Sequence, residues 1–440
     1  MPPRPDGSNV IPTQEIAADV LTLVEERRIS IKTAVARVAG RYDYKIRGSV
    51  HAYSIETLRR LNAIDHFLRR TVPKFDLLNP FIKNLLRIAV YEMKYKDVHP
   101  ALATDSAVRI VKKRNPKLVG LVNGVLRNVE KLEIDAENDI ERISLNFFHP
   151  EWFVKYTIEL LGKDEALELI RANLRQPPAY IRVNELKGSI EGVLRYLENR
   201  GVRLSPTFMD EVFRVESYSV HPASFDWHAE GKYVIQDLAS CFVSHALNPE
   251  PGDVVVDLAA APGMKTSHIA MLMENRGRII AVDNSEERIK RMKSKIKQLG
   301  VKNVEIKLGD GCRFSFMADK ALVDAPCSST GSYASQPNVK WSFDWRKFEG
   351  TVAVQRKMLK NALNGADEVV YSTCSIMFEE NEGNLNAVGA RVVKLDSPFS
   401  RGIKEFRGEV FRDWNRVVRS FPHLHNSSGF FISKLKGDER

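Results

Sequence analysis

Residues 254–270 read VVVDLAAAPGMKTSHIA, and this stretch decides the fold. Val254, Val255 and Val256 make an unbroken apolar run, as in a strand buried on both faces. The run ends at Asp257. A turn of small residues follows, through Ala259, Ala260, Ala261, Pro262 and Gly263. Met264 and Lys265 then open a helical segment. Strand, tight turn and helix in that order begin a doubly wound α/β sheet, where a nucleotide-bearing cofactor lies against backbone N–H groups. Side chains this small let a ligand reach the main chain. The spacing GxGxxG is absent, which argues against a dinucleotide and so against a nucleotide-dependent oxidoreductase.

The pattern continues on the C-terminal side. Strand-like runs RIIAVD (278–283), VEIKLGD (304–310), ALVDAP (321–326) and EVVYSTC (368–374) alternate with helical stretches at 285–300, 348–364 and 379–390. This predicts a mostly parallel sheet covered on both faces. Asp283 closes the second strand, twenty residues past Gly263, where an acid binds both hydroxyls of a ribose. Arg288 lies just beyond it. Asp310 closes the third strand, in reach of an adenine amino group. Acids at successive strand ends suit an adenosine-bearing ligand with a positive centre, such as S-adenosylmethionine.

The chain has four cysteines, Cys241, Cys312, Cys327 and Cys374. None forms a CxxC pair, and their separations fit neither a disulfide framework nor a zinc ribbon, so free thiols and no metal are expected. Cys241 and Cys312 read as packing residues. Cys327 and Cys374 are different. They sit in DAPCSSTG (324–331) and YSTCS (371–375), each just past a strand's carboxyl end, on the ligand edge of the sheet.

Upstream, the chain reads differently. Residues 177–235 give strand, helix, turn and two further strand-like runs, a small α+β unit. Residues 134–176 read as a helical connector. Residues 13–133 carry helical periodicity throughout, with Asn79 as N-cap and Pro80 at the first helical position. Residues 1–12, with four prolines, read as a flexible tail. Residues 1–148 hold 25 Lys and Arg against 18 Asp and Glu, within a net charge of +10 for the chain. Such a basic balance points to an acidic partner, RNA before others. No apolar run approaches the ~18–20 residues of a membrane span. The first thirty residues contain Arg4, Asp6, Glu15, Asp19, Glu25 and Glu26 and no apolar stretch of the secretory kind, so a cytoplasmic protein is expected.

LNPFIKNLLRIAVYEMKY (78–95) together with LVNGVLRNV (121–129) resembles the NusB-like RNA-binding helical domain. There the basic cluster Lys112, Lys113, Arg114 and Lys117 is placed to touch phosphates. The C-terminal motifs resemble the RNA 5-methylcytosine methyltransferases of the Sun/Fmu/Nop type, whose pattern is an AAPGGKT turn, a DAPCSG/S-G strand end and an STCS strand end. YIRVNELK (180–187), QDLAS (236–240), VKW (339–341) and FPHLHNSSGFF (421–431) extend the likeness along the chain. Met264, Ala259 and Phe378 depart from the family's Gly, Cys and Pro. The segment before Lys340 and Trp341 lacks the family's arginines.

The resemblance implies a Rossmann-like class I methyltransferase sheet over 236–440, with a NusB-like domain at 13–133 and a small RRM-like insert at 177–235. It implies S-adenosylmethionine as cofactor, held by residues 259–265, Asp283, Arg288, Asp310 and Asp324. It implies covalent catalysis. A thiolate adds to carbon 6 of cytosine, and carbon 5 becomes nucleophilic. The family pattern gives addition to Cys374 and assistance of release to Cys327. Spacing alone does not decide this, because the DNA cytosine methyltransferases attack from the Pro-Cys strand end. Asp324 is expected on the cytosine edge, with Lys265 orienting Asp324 or the substrate, and the target base must be unstacked. The expected substrate is ribosomal RNA, with transfer RNA as the alternative, and the expected state is a monomer. A non-catalytic RNA-binding assembly factor on the same fold is the rival from another class.

Overall fold

The computed structural model describes residues 13–438. The tail read at 1–12 lies outside them. The described residues divide into two units, residues 13–174 with 336–342, and residues 175–335 with 343–438. The division along the sequence had kept 236–440 together. Among the described residues no helix is long and apolar enough to cross a membrane.

The first unit holds α1 (Thr13–Arg27), α2 (Ile31–Val38), α3 (Tyr44–Arg59), α4 (Leu61–Thr71), α5 (Pro80–Tyr95), α6 (Pro100–Arg114), α7 (Val119–Glu130), α8 (Asp139–Asn146), α9 (Glu151–Leu161) and α10 (Lys163–Ala172). The Asn79 side chain accepts the Phe81 and Ile82 N–H groups and Pro80 starts α5, so the helix begins where the sequence placed it. Its Leu85, Leu86, Ile88 and Val90 join Ile16, Val20 and Leu21 of α1 in one core. Arg87 is buried there, with Nε and Nη2 on Asp65 at 2.7 and 2.6 Å.

The basic cluster at the end of α6 needs correction. Arg114 is not available to phosphate, because Nε meets Glu15 at 2.7 Å and Nη2 meets Asp19 at 2.7 Å. Lys112, Lys113 and Lys117 remain exposed. The excursion at 336–342 ends the account of this unit. Lys340 is 1% exposed. It donates to the carbonyls of Arg59, at 2.9 Å, and Phe148, while the Trp341 indole donates to that of Leu58. Burial, then the charges of Arg59 and Arg60, push its ammonium well below the usual lysine range.

The second unit begins with a four-stranded antiparallel sheet of β1 (Tyr180–Val183), β2 (Arg203–Pro206), β3 (Val212–Ser217) and β4 (Tyr233–Ile235), in the order β2-β3-β1-β4, with α11 (Ile190–Glu198) crossing between β1 and β2. The sequence reading missed β2, whose residues alternate only weakly and stay largely exposed.

The main sheet contains β5 (Val254–Asp257), β6 (Arg278–Asp283), β7 (Val304–Leu308), β8 (Ala318–Asp324) and β9 (Ala366–Thr373), all parallel, in the order β9-β8-β5-β6-β7. Both β6 and β8 pair β5, so chain order reverses there, and the carboxyl ends of β5 and β8 flank the crevice where doubly wound sheets bind ligands. Four more strands extend the sheet, and the sequence reading had none of them. They are β10 (Arg391–Val393), β11 (Ser400–Arg401), β14 (Val418–Ser420) and β15 (Phe430–Lys436), while β12 (Glu405–Phe406) and β13 (Glu409–Val410) form a separate hairpin. β15 runs antiparallel to β9, so the sheet is mixed. It hides in FFISKLK because its neighbours are far off in sequence.

Candidate active site at the strand ends

The turn after β5 is built around Gly263. Its φ is +94°, a left-handed conformation that suits glycine, and an added Cβ would press Met292 and Ile296 at 3.1 and 3.3 Å. α14 (Met264–Leu272) starts at the next residue. Ala259, Ala260 and Ala261 line the turn, with Pro262 exposed at its apex. Asp257 lies beneath it, 1% exposed, accepting the Thr266 hydroxyl at 2.7 Å. Burial raises its carboxyl to about 7.

Asp283 is 2% exposed at the end of β6. Its Oδ2 accepts the Ala261 N–H at 3.3 Å, and its Oδ1 accepts the Ser285 N–H at 3.0 Å. Arg288 lies half in solvent with Nη2 3.1 Å from Asp283 and 2.7 Å from the Asn284 amide oxygen. Asp310 follows β7 in an exposed turn and accepts the Cys312 N–H at 2.9 Å. Cys241 is fully buried on α13 (Leu238–Leu247), and Cys312 sits beside Asp310.

Asp324 closes β8. Lys265 Nζ is 2.7 Å from its Oδ2 and the Ser372 hydroxyl donates to its Oδ1 at 2.8 Å. Burial opposes the Lys265 charge, the Asp324 carboxylate more than offsets it, and the ammonium pKa is raised. Ser372 was not singled out from sequence. It is two residues before Cys374, and strand periodicity puts those two side chains on one face.

The two thiols meet. Cys327, three residues past Asp324, and Cys374, one past β9, have their sulfurs 3.3 Å apart. Cys374 Sγ also lies 3.5 Å from the Ser329 hydroxyl. The hydrogen bond from Cys327 holds Cys374 below the ordinary thiol range against burial, and Ser329 adds to this. The same contact, burial and the Glu380 charge push Cys327 well above it.

Two loops make this contact rigid. Gly331 N–H donates to the Cys374 carbonyl at 3.0 Å, and Gly429 N–H donates to the Gly331 carbonyl at 2.8 Å. A Cβ on Gly331 would fall 2.0 Å from the Gly429 oxygen. Glu380, fully buried, accepts the Ser328 N–H at 2.8 Å, the Ser328 hydroxyl and the Gln355 amide at 3.0 Å. Glu380 lies in the stretch 379–390, which the sequence marks only as helical. The segment holds three acids, Glu379, Glu380 and Glu382, and nothing in the sequence sets Glu380 apart from the other two. Asp237 of QDLAS accepts the Ser427 hydroxyl and the Ser428 N–H, both at 2.8 Å, which joins two of the quoted motifs.

Comparison with known proteins follows the same divisions. Residues 244–436 match the family described as 16S rRNA methyltransferase RsmB/F, residues 12–131 the NusB family, and residues 149–220 the RsmF/B-like ferredoxin-like domain. The ribosomal RNA small subunit methyltransferase B of Pectobacterium carotovorum is 30% identical over 365 residues, 80% of this chain and 81% of that one. The chain belongs to the RsmB/F methyltransferase family. The enzyme of the same name from Klebsiella pneumoniae is 28% identical over 96% of this chain and 97% of its own. Among solved structures, that of PH0851 superposes with a TM-score of 0.83 at 27% identity, covering 97% of this chain and 99% of that one. NSun6 from Pyrococcus horikoshii with SFG gives 0.60 at 26% identity over 66% of this chain and 99% of that one. The chain is therefore a methyltransferase of NusB-like, ferredoxin-like and Rossmann-like parts, the architecture its motifs implied.

One cluster of metal-ligand type lies apart from these strand ends. Glu211, His245 and His268 bring one ligand atom each within 4.8 Å of one another. Both imidazole Nε2 atoms contact Glu211 Oε1, at 2.7 and 2.8 Å. At those separations the nitrogens donate to the carboxylate, and the cluster is a buried hydrogen-bond network.

Proposed function

We propose that this chain methylates carbon 5 of a cytosine in ribosomal RNA, with Cys374 as nucleophile and Cys327 as the thiol that assists release. The observation that carries the reading is the pair of sulfurs 3.3 Å apart beside an aspartate fixed at both oxygens. A single structural cysteine would need neither.

The donor set suits an adenosine cofactor. Asp283 Oδ2 accepts one backbone N–H and has a second lone pair for a ribose hydroxyl. S-adenosylmethionine supplies an electrophilic methyl group. Residues 259–265, Asp283, Arg288, Asp310 and Asp324 would hold it along the carboxyl ends of β5 to β8.

The residues of the chain then divide the work. Cys374 gives up its proton more readily than Cys327, and its thiolate adds to carbon 6 of the base. Asp324 meets the pyrimidine edge, where Lys265 and Ser372 keep its two oxygens in place. After methyl transfer the Cys327 thiolate takes the carbon 5 proton, the electron pair of that C–H bond restores the C5–C6 double bond, and the Cys374 sulfur leaves carbon 6 as thiolate with its bonding pair. Cys327 suits this step because Cys374, once bonded to carbon 6, no longer carries the charge that keeps Cys327 protonated, so the Cys327 thiol can ionise to solvent and act as the base. The exposed lysines at the end of α6 and the small α+β unit supply RNA affinity.

Bisulfite sequencing tests the reading. Purified protein and S-adenosylmethionine are incubated with unmodified small-subunit RNA and, separately, with bulk transfer RNA. A protected cytosine in the ribosomal RNA alone is expected. Protection in transfer RNA alone moves the substrate. Protection in neither, by protein that binds the cofactor, refutes the reaction and favours a binding factor.

A further inference from the structure

We propose that Ser329 is a catalytic residue, whose hydroxyl donates a hydrogen bond to the Cys374 thiolate before attack and again as that thiolate leaves carbon 6. This rests on Cys374 being the nucleophile.

The backbone at Ser329 has φ +55° and ψ +27°. L-residues other than Gly, Asn and Asp rarely visit this region. The turn demands it. Ser329 begins the 3-10 turn Thr330–Ser332, its carbonyl accepts the Ser332 N–H at 3.0 Å, and Gly331 must pass against Gly429. Glycine would meet the backbone requirement without strain. What serine adds is a hydroxyl, and its oxygen lies 3.5 Å from Cys374 Sγ. The Ser329 backbone N–H meanwhile favours charge on Cys327. One residue therefore addresses both sulfurs.

A hydroxyl suits the task because it both accepts and donates. While Cys374 is protonated, its S–H donates to Ser329 Oγ. Once that proton has passed to solvent water, the hydroxyl turns and its O–H donates to the anionic sulfur. When the S–C6 bond forms, the sulfur's negative charge passes into the pyrimidine ring and the hydrogen bond weakens. When the bond breaks, the electron pair returns to sulfur and the hydroxyl stabilises the leaving thiolate. The other charged groups around the pair are Asp324 and Lys265 from the β8 end and α14, and Glu380 on the Cys327 side. None of them donates a hydrogen bond to Cys374; besides Cys327, the Ser332 hydroxyl also lowers it, with less weight than Ser329.

The test is Ser329→Gly, which removes the hydroxyl and keeps the left-handed backbone. Alkylation of native and variant protein by iodoacetamide is followed from pH 6 to 10, with the Cys374 peptide quantified by mass spectrometry. The expected result is a midpoint higher by about half to one pH unit, so that alkylation at pH 7 is roughly 3- to 10-fold slower. The plateau at high pH should be equal or faster, because a less stabilised thiolate is more nucleophilic. Thermal unfolding should be unchanged or shifted upward. A Cys374 profile that superimposes on the native one overturns the proposal. Because the readout is the thiol itself, it holds whether or not Cys374 proves to attack cytosine. Failure of the nucleophile assignment would show separately, as RNA adducts that survive Cys374→Ala.

Discussion

Lys265→Met removes the ammonium that fixes Asp324 and keeps the length of the side chain. In the native protein Nζ lies 2.7 Å from Oδ2, with the lysine side chain 12% and the aspartate 30% exposed. A hydrogen bond to a charged group contributes ~1.5–3 kcal/mol. The exposure of Asp324 screens part of this, so the lower end applies, about 1.5–2 kcal/mol. At 1.36 kcal/mol per decade this is roughly a 10- to 30-fold loss in the rate of the chemical step. Stability should change little, because the desolvation cost of the buried ammonium disappears with it. The assay is release of tritium from carbon 5 of labelled cytosine in substrate RNA, in single turnover with saturating cofactor. Cofactor affinity should fall by less than the chemical rate, since Lys265 is one of several residues proposed to hold the cofactor and Asp283 and the alanines are untouched. The double variant Lys265→Met, Asp324→Asn should be no slower than the slower single variant, because the pair acts as one unit. Native turnover in Lys265→Met would refute the reasoning. So would a double variant whose loss equals the product of the two single losses.

Three further outcomes are expected. Cys374→Ala should give no covalent RNA species, whereas Cys327→Ala should accumulate one that survives a denaturing gel, and the reverse pattern would exchange the two roles. Asp283→Ala should weaken S-adenosylmethionine about ten- to a hundredfold by calorimetry, and unchanged affinity would remove its ribose role. Burial lowers the His268 imidazole to about 3, so the unfolded chain takes up a proton that the fold excludes. Stability is therefore complete above an unfolded pKa of about 6.5 and declines as pH falls below it, by about 1–2 kcal/mol at pH 5. His268→Gln should flatten that part of a urea-unfolding series, and an unaltered slope would assign the loss to other groups.

Much of the site was legible because its chemistry follows strand ends. Five apolar runs each stop at an Asp or a Cys, and a parallel sheet brings such ends to one edge without further information. The helical unit was legible through α5, whose cap and period agree. What stayed hidden depends on contacts across long sequence distances. β15 looks like a mixed surface segment until β9 covers it, and Gly429 has no evident purpose until Gly331 lies against it. Lys340 and Trp341 were visible only as a motif of the family resemblance, with no role of their own. Their polar atoms bind the carbonyls of Leu58, Arg59 and Phe148, so a charge in the sequence became a buried anchor within the first unit. Arg114 was misread for a related reason, since Glu15 and Asp19 are some hundred residues away from it.

The placement of the two cysteines accounts for the different duties proposed for them better than their sequence neighbours do. Alone, each is a thiol after a strand, and nothing in either motif ranks them. The fold supplies the difference. β8 and β9 are adjacent and parallel, so Asp324 pairs with Ser372 and the chain after each strand turns toward the same point. On the Cys327 side the turn is tied to Glu380, a buried acid whose charge disfavours a second anion. On the Cys374 side the groups nearby include the Lys265 ammonium and the Ser329 hydroxyl, which favour one. Two identical side chains in contact cannot both ionise easily, and a modest field decides which does. That field belongs to residues 265, 329 and 380, which lie on three separate segments. An account of the reaction that named only the two cysteines would leave their order of action without a cause.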